Sequence, residues 1–235
     1  MGAEKFGSFV AECGGDEAKA RRLALLSVRL AGEYLPALAV LELALRNSIA
    51  VQLATVFGEN WPGQLAEGQT VRAGRRRLNS TEQHCRRFEE ARDHLTRKGC
   101  STASPDIIGA TSMGVWVGLT GGGAPHEGKY YETQLWAPLI SHAFPGMNAV
   151  YGVRSGKGRY SQRELLHHDL NRVLDLRNRV AHHERITHLD HETETERIAR
   201  AVTAMVGVLP GSLDDLIPNP EEHETRRRAE VVRGA

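Results

Sequence analysis

The sequence predicts an all-α protein, and three observations point to that class. Aromatic residues make up only 6% of the chain, whereas Leu, Ala and Arg are abundant, and this composition favours helices over sheets. Apolar residues recur at spacings of three and four, which is the period of an amphipathic helix. Capping boxes stand at Ser80–Gln83 and Ser161–Glu164, where helices are expected to begin. We expect one helical domain over residues 1–215, followed by a polar, arginine-rich and flexible tail over residues 216–235.

Individual helices are predicted where apolar periodicity runs between a start signal and a Gly or Pro stop. These helices are 6–13, 16–34, 37–57, 80–98, 107–119, 130–144, 161–184 and a last one through residue 209. Asp16 is the predicted N-cap of the second helix. Pro36 is placed in the first turn of the third, because proline lacks the N–H that the helix interior needs. Trp116 is expected in the core.

Composition limits the classes of function. Net charge is +1 and the isoelectric point is about 7.9, so any nucleic-acid contact must come from a local basic patch. Cys13, Cys85 and Cys100 are odd in number and scattered, which argues against disulfides or a zinc ribbon and indicates a reducing compartment. No signal-cleavage pattern and no apolar run of about 18 residues is present, so we expect a cytoplasmic protein without a membrane span.

Candidate catalytic residues are concentrated in the stretch Leu174–Ile186, which contains Arg177, Asn178, His182 and His183. The apolar line of this predicted helix runs upstream at spacings of three and four, through Leu166, Leu170, Val173 and Leu174. Arg177 continues that line, and a guanidinium on a buried stripe is costly unless it is paired. Asn178 and His182 share a helical face, whereas Arg177 and His182 lie about 140° apart and can flank one cleft.

These residue types suit metal-free cleavage of RNA. One imidazole accepts the proton of the 2′-hydroxyl, and Arg177 stabilises charge on the phosphoryl oxygens. The leaving 5′-oxygen needs a second donor, which is either His183 or His182 of the partner subunit. A structural interpretation stands beside this one. An arginine on a core stripe often forms a buried ion pair, and paired histidines near a helix end often only cap carbonyls.

Longer segments carry a family resemblance. Arg177-Asn178, three residues and His182 resemble the Arg-to-His signature of HEPN-domain ribonucleases, and LRNRVAHHERI resembles a segment of Abi-like (abortive-infection) proteins. Two further segments resemble the same family, in its order: one is Leu41–Trp61, and the other is Ser104–Thr120 together with Tyr130–Pro145. The resemblance spans roughly residues 20 to 186.

The resemblance implies a HEPN-like bundle with additional N-terminal helices and a metal-independent endoribonuclease. It matches the family's catalytic Arg and His to Arg177 and His182, and the polar residue after the Arg to Asn178. It also implies a homodimer with one composite active site. The implied role is that of a toxin in antiviral defence, halting growth when phage infects, under restraint by a protein or an RNA antitoxin.

RNA binding is expected at two places near these residues. The glycine-rich loop 146–160 carries Arg154, Lys157 and Arg159 just before the catalytic helix. The second place is the histidine pair, where Arg179 and Arg185 lie on either side and are expected to bind RNA, as the basic residues of the loop are.

Other interpretations remain open. Six of the 11 histidines lie between His167 and His191, and this enrichment raises the alternative of a metal-dependent hydrolase. The alternative is the weaker one, because the spacing of His183, Glu184 and His188 is one residue too long for a zinc-binding H-E-x-x-H helix. No cofactor and no metal are expected. A non-catalytic RNA-binding or oligomerisation module is a further alternative. Glu42 either pairs with Arg46 along one helix or orients Arg177.

Overall fold

The computed structural model describes residues 3–78, 80–152, 161–206 and Val232, with side chains from residue 6 onward. In these parts of the chain the predicted all-α class is confirmed. The α-helices are, in chain order, α1 (Ala3–Glu12), α2 (Glu17–Phe57), α3 (Trp61–Ala66), α4 (Glu82–Arg97), α5 (Ser104–Ala110), α6 (Met113–Leu119), α7 (Met147–Tyr151), α8 (Gln162–Ala181) and α9 (His191–Val206). Two antiparallel strand pairs accompany them, β1 (Arg72–Ala73) with β2 (Arg76–Arg77) and β3 (Gly123–Ala124) with β4 (Lys129–Tyr130).

The turn between α1 and α2 follows the prediction. Gly14 and Gly15 have positive φ angles of 61° and 92°, which glycine adopts without steric cost. The Asp16 carboxylate accepts hydrogen bonds from the backbone N–H groups of Ala18 at 2.9 Å and Lys19 at 3.0 Å. Asp16 is therefore the N-cap of α2, as its position before the apolar run indicated.

The prediction of separate helices on the two sides of Pro36 is wrong, because α2 runs through the proline. A proline inside a helix costs about 3 kcal/mol, since one hydrogen bond is lost and the ring crowds the preceding turn. The side chains that flank it outweigh this cost. Leu30 and Tyr34 before Pro36, and Leu38 and Leu41 after it, are each at most 2% exposed. Breaking the helix would remove these side chains from the core.

The chain forms two compact units. The terminal unit comprises residues 1–41, 169–201 and 209–235, and the central unit comprises residues 42–168 and 202–208. The helices α2, α8 and α9 each contribute residues to both units. The single domain over residues 1–215 stays a prediction, and the tail 216–235 lies outside the described residues except for Val232.

In the terminal unit, the segment after α8 packs against the first half of α2. One apolar cluster joins α1 to α2 through Phe9, Leu23 and neighbouring alanines. The backbone N–H of Ile186 donates to the Ser27 hydroxyl at 3.4 Å, and Ile186 itself is fully buried. The Tyr34 hydroxyl lies 2.8 Å from His191 Nδ1 at the start of α9. The chain after α8 is thus anchored to α2 at Ile186 and again at His191, where α9 begins.

The central unit packs around three aromatic rings. Trp61, Phe88 and Trp116 meet edge to face, with ring centroids 5.2 to 6.4 Å apart. This arrangement confirms the expectation that Trp116 belongs to the core, where such contacts add to the area buried.

Two of the helices predicted for the central unit are wrong. The expected helix 107–119 is two helices, α5 and α6, separated at Thr111. Thr111 is extended, and its hydroxyl accepts a hydrogen bond from the Trp116 indole at 2.9 Å and donates one to the Ile108 carbonyl at 2.7 Å. The expected helix 130–144 is a π-helical turn, Glu132–Trp136, followed by a 3₁₀ turn, Ile140–Ala143. Side-chain hydrogen bonds compete with the helical ladder, as at Thr111, and periodicity does not report them.

The start of α4 is displaced by one residue from the predicted capping box. Thr81, not Ser80, is the N-cap, and its hydroxyl accepts from the His84 backbone N–H at 3.3 Å. The Tyr131 hydroxyl explains the shift, because it holds the Thr81 N–H at 2.7 Å and also lies 2.7 Å from His84 Nδ1. Burial lowers the pKa of His84 to about 4.

The depressed pKa of His84 predicts a loss of stability in acid. Between about pH 6.5 and pH 4 the unfolded chain binds a proton at this imidazole and the folded chain does not, so the free energy of unfolding decreases as the pH falls. The contribution is at most about 3 kcal/mol. Urea unfolding across this range measures it, and His84→Gln should flatten that part of the profile. Equal pH slopes for the two proteins would show that His84 is readily protonated in the folded state.

Within the described residues, α2 is the one helix whose length and composition would allow it to cross a bilayer. Half of its most apolar window is buried inside the protein. A core helix passes the same test, so α2 is weak evidence for a membrane span. The absence of a membrane span and the cytoplasmic location stay predictions from the sequence.

Candidate functional site

The beginning of α8 is fixed by its capping box, as predicted. The Ser161 hydroxyl accepts from the Glu164 backbone N–H at 3.2 Å, and the Glu164 carboxylate accepts from the Ser161 backbone N–H at 2.6 Å. These hydrogen bonds hold the pKa of Glu164 below its usual value. Both backbone donors at the helix start are thereby satisfied.

The buried side of α8 differs from the predicted line. Its fully buried apolar residues are Leu166, Leu170, Val173, Leu176 and Val180. The expected continuation from Leu174 to Arg177 is wrong, because both of these residues are only half-buried. A spacing of three from Val173 leads to Leu176, whereas a spacing of four leads to Arg177, and a 3.6-residue period allows either. Arg177 therefore lies at the edge of the buried stripe and not within it.

The helix ends three residues earlier than predicted, at Ala181 and not at Glu184. The Glu184 N–H donates to the Arg179 carbonyl at 2.8 Å, and the His183 N–H donates to the Val180 carbonyl at 3.2 Å. These are the two hydrogen bonds of a Schellman motif. His183 takes the left-handed position, with φ of 52°, and among the described residues it is the one non-glycine with positive φ. His183 thus caps α8 through its backbone, whereas the structural interpretation assigned the capping of carbonyls to the side chains of the histidine pair.

The predicted catalytic residues occupy the last turn of α8 and the position after it. The His182 N–H still donates to the Asn178 carbonyl at 2.9 Å, so His182 continues the helical path by one residue. Its side chain and that of His183 are exposed, whereas Asn178 is half-buried. A guanidinium nitrogen of Arg177 lies 3.4 Å from the Asn178 side-chain oxygen. Arg177 and Asn178 are therefore neighbours, and His182 stands one turn further on.

A cleft of about 420 Å³ opens in the terminal unit beside this helix end. The residues that line it come from α1, from the last turn of α8 and from the segment after it: Ser8, Phe9, Arg179, His183, Glu184, Arg185 and His188. It brings together three of the predicted residues, His183, Arg179 and Arg185. In the described part of the chain, Arg177, Asn178 and His182 are not among its lining residues.

The charges of this cleft are arranged in ion pairs. A guanidinium nitrogen of Arg179 lies 3.8 Å from a carboxylate oxygen of Glu184, and one of Arg185 lies 2.5 Å from a carboxylate oxygen of Glu12. A phosphate would compete with these carboxylates, because a guanidinium binds either group through its positive charge and its planar set of donors. The cleft also contains His188, for which the sequence pattern suggested only the role of a metal ligand. The histidine-rich window pointed to His188 as a residue of interest. Its place in the same cleft as His183 depends on the turn at the end of α8.

Three of the predicted RNA-binding residues, Arg154, Lys157 and Arg159, lie outside the described residues. For Glu42 the sequence left two roles open, pairing with Arg46 or orientation of Arg177. The Arg46 guanidinium donates a hydrogen bond to the Gly109 carbonyl at 3.2 Å. The alternative role of Glu42, orientation of Arg177, stays a prediction.

The histidine-rich window contains imidazoles with protein partners. His167 Nδ1 lies 2.9 Å from the Thr120 hydroxyl, and burial lowers the pKa of His167. His191 is 4% exposed and contacts Tyr34. Among the residues that the structure describes, no group of three or more His, Cys, Asp or Glu side chains is arranged to hold a metal ion.

The left-handed conformation of His183 gives a stability prediction. We expect His183→Gly to raise the free energy of unfolding by about 0.5 kcal/mol, because relief of about 1–2 kcal/mol of left-handed strain exceeds the entropic cost of glycine. His182→Gly is the matched control and should lower stability, since residue 182 has no positive φ. Urea unfolding measures both variants. A less stable His183→Gly protein would show that contacts of the imidazole outweigh the strain.

The end of α8 is therefore a solvent-accessible segment on a well-anchored helix. It carries exposed imidazoles beside guanidiniums, a combination suited to binding and cleaving a phosphodiester. The chain matches no protein-family model, no curated protein and no solved structure.

Proposed function

We propose that this protein is a metal-independent endoribonuclease of the HEPN type and an Abi-like toxin of phage defence. One observation supports the proposal above all: α8 ends with Arg177 and Asn178 half-buried in its last turn and His182 exposed immediately after it. Both ends of this helix are fixed by hydrogen bonds, so its last turn is a rigid support for catalytic side chains.

The proposed chemistry is a transfer within the RNA. His182 accepts the proton of the 2′-hydroxyl as O2′ forms a bond to phosphorus. Arg177 stabilises the charge that develops on the non-bridging oxygens, and Asn178 holds the guanidinium in place. The P–O5′ bond breaks, and a second imidazole, protonated beforehand, gives its proton to O5′. The products are a 2′,3′-cyclic phosphate and a 5′-hydroxyl end.

Two sources of the second imidazole remain in the proposal. His183 is exposed and lines the cleft that contains Arg179 and Arg185. The other source is His182 of the partner subunit, in the homodimer with a composite site that the family resemblance implies. His183→Gly separates them, because this variant keeps the turn and removes the imidazole. Cleavage near the normal rate by His183→Gly favours the partner subunit, and a large loss favours His183.

The biological role follows from the proposed activity. A ribonuclease without strict control would damage its own cell, so a protein or RNA antitoxin is part of the proposal. Arg179 and Arg185 are proposed to bind the RNA backbone after exchange of their carboxylate partners for phosphate. The proposed site of action is the cytoplasm.

The direct test is cleavage of single-stranded RNA by the purified protein in excess EDTA. We expect cleavage to persist, and the products to carry 2′,3′-cyclic phosphates that can be identified by mass spectrometry. Activity that EDTA removes and a divalent cation restores would indicate the metal-dependent alternative. RNA binding without cleavage, in preparations that contain the dimer, would indicate the non-catalytic RNA-binding module.

A further inference from the structure

A second cleft lies in the central unit, between the last turns of α2 and helix α5. Its volume is about 750 Å³, within the usual range of small-molecule sites of about 300–1,000 Å³. Arg46 and Asn47 are among its lining residues. This Arg-Asn pair has the same order as the pair Arg177-Asn178, and the proposed cleavage does not use it.

Two contacts define the opposite ends of this cleft. At one end, the Arg46 guanidinium donates to the carbonyl of Gly109 near the end of α5. At the other end, the Ser104 hydroxyl at the start of α5 donates to the Asn60 side-chain oxygen at 3.2 Å. Arg46 and Ala54, both lining residues, are about 12 Å apart along α2 at 1.5 Å per residue. The cleft is therefore an elongated slot with polar groups at both ends.

The middle of the slot is apolar. Ala50, Val51 and Ala54 of α2 form one side, and Ile108 of α5 lines it as well. Val51 is 57% exposed, which is a large exposure for a β-branched apolar side chain in a concave surface. A ligand with a planar ring or a short apolar group would pack against this side chain.

The Arg46 end favours an anion. Among the described residues, Arg46 donates to a neutral carbonyl, and its Nε atom is buried without a hydrogen-bond partner. A guanidinium that is partly desolvated in this way gains when a negative group approaches its other nitrogens. The exposed amide of Asn47 stands next to it and can donate to the same group. At the opposite end Glu59, Asn60 and Ser104 offer both donors and acceptors.

We propose that this slot binds one nucleotide, with its phosphate at Arg46 and Asn47 and its base over the apolar middle. The base edge then faces Asn60, Ser104 and Glu59, whose carboxylate accepts from a ring or exocyclic N–H. A nucleoside 5′-monophosphate is about as long as the slot, and its phosphate matches the guanidinium of Arg46 in charge. The nucleotide comes either from solution or from single-stranded RNA, and both sources present the same phosphate and base. The proposal does not depend on RNA cleavage.

The test is titration calorimetry of the full chain with the four ribonucleoside 5′-monophosphates, with short single-stranded oligoribonucleotides and with inorganic phosphate. The side-chain amide signals of Asn47 and Asn60 in ¹⁵N NMR spectra locate the ligand. We expect Arg46→Met to weaken binding of the nucleotide about tenfold or more, which is about 1.4 kcal/mol. Asn47→Asp, at an exposed position, should weaken it through charge repulsion. Arg21→Met is the matched control, since Arg21 is an exposed arginine of the same helix, and it should leave binding within about twofold.

The outcomes separate the two sources and the alternatives. Binding of free monophosphates with both amide signals shifted supports the proposal with a soluble nucleotide. Binding of oligoribonucleotides alone, with the same signals shifted and the same loss in Arg46→Met, supports it with RNA as the source. Inorganic phosphate binding as tightly as the nucleotide would overturn the role of the base. The absence of any shift at Asn47 and Asn60, or equal losses in Arg46→Met and Arg21→Met, would overturn the site.

Discussion

His182→Ala is expected to reduce RNA cleavage by roughly 100-fold to 10,000-fold, the usual contribution of a positioned general acid or base. The same change should leave the free energy of unfolding within about 0.5 kcal/mol, because an exposed side chain contributes little to stability. Binding of RNA should be largely preserved, since Arg177 and the arginines of the neighbouring cleft remain. Single-turnover cleavage, urea unfolding and filter binding measure the three quantities separately.

The control for this variant is His126→Ala. The His126 side chain is 82% exposed and lies far from α8 in the sequence, so its removal should change neither cleavage nor stability. Arg177→Lys is a useful companion, because it keeps the positive charge but removes the planar fork, and cleavage should fall even though charge is conserved. Cleavage by His182→Ala at the normal rate would reject the assigned roles, even if the protein is a ribonuclease.

Gly123→Ala is expected to give the largest loss of stability, about 3 kcal/mol or more. Gly123 has φ of +82°, where an alanine carries about 1–2 kcal/mol of strain. A Cβ atom at this position would overlap the Lys129 carbonyl oxygen of the paired strand and come within 2.7 Å of a Tyr131 ring carbon. Tyr131 is fully buried and holds Thr81 and His84, so it has no room to move. Overpacking of this kind adds about 1–3 kcal/mol.

Gly122→Ala is the matched control for this prediction. A Cβ at Gly122 meets no atom within 4 Å, and its φ is not in the left-handed region, so stability should change by less than about 1 kcal/mol. Thermal unfolding measures both variants, and about 3 kcal/mol corresponds to roughly 6–12 °C in Tm for a protein of this size. Similar Tm values for the two variants would mean that the β3–β4 turn opens at little cost.

Much of the architecture could be predicted from interactions between residues that are close together in the sequence. The all-α class, the Asp16 N-cap and the Ser161–Glu164 capping box each depend on residues within a few positions of one another. Local patterns of this kind are visible in a sequence because the interacting groups are neighbours along it. The predicted catalytic residues are neighbours along the chain as well, since Arg177, Asn178, His182 and His183 lie at one helix end.

Tertiary structure decided what depends on distant groups. The continuation of α2 through Pro36 follows from core burial on both sides of the proline, and the shifted start of α4 follows from Tyr131. Arg177 lies at the edge of the buried stripe because packing selected Leu176, a choice that a 3.6-residue period leaves open. The placement of His183 at a left-handed turn, beside His188 and residues of α1, likewise required the folded chain. The sequence by itself thus determined which residues carry the candidate chemistry, and only packing between distant segments decided which of them share a cleft.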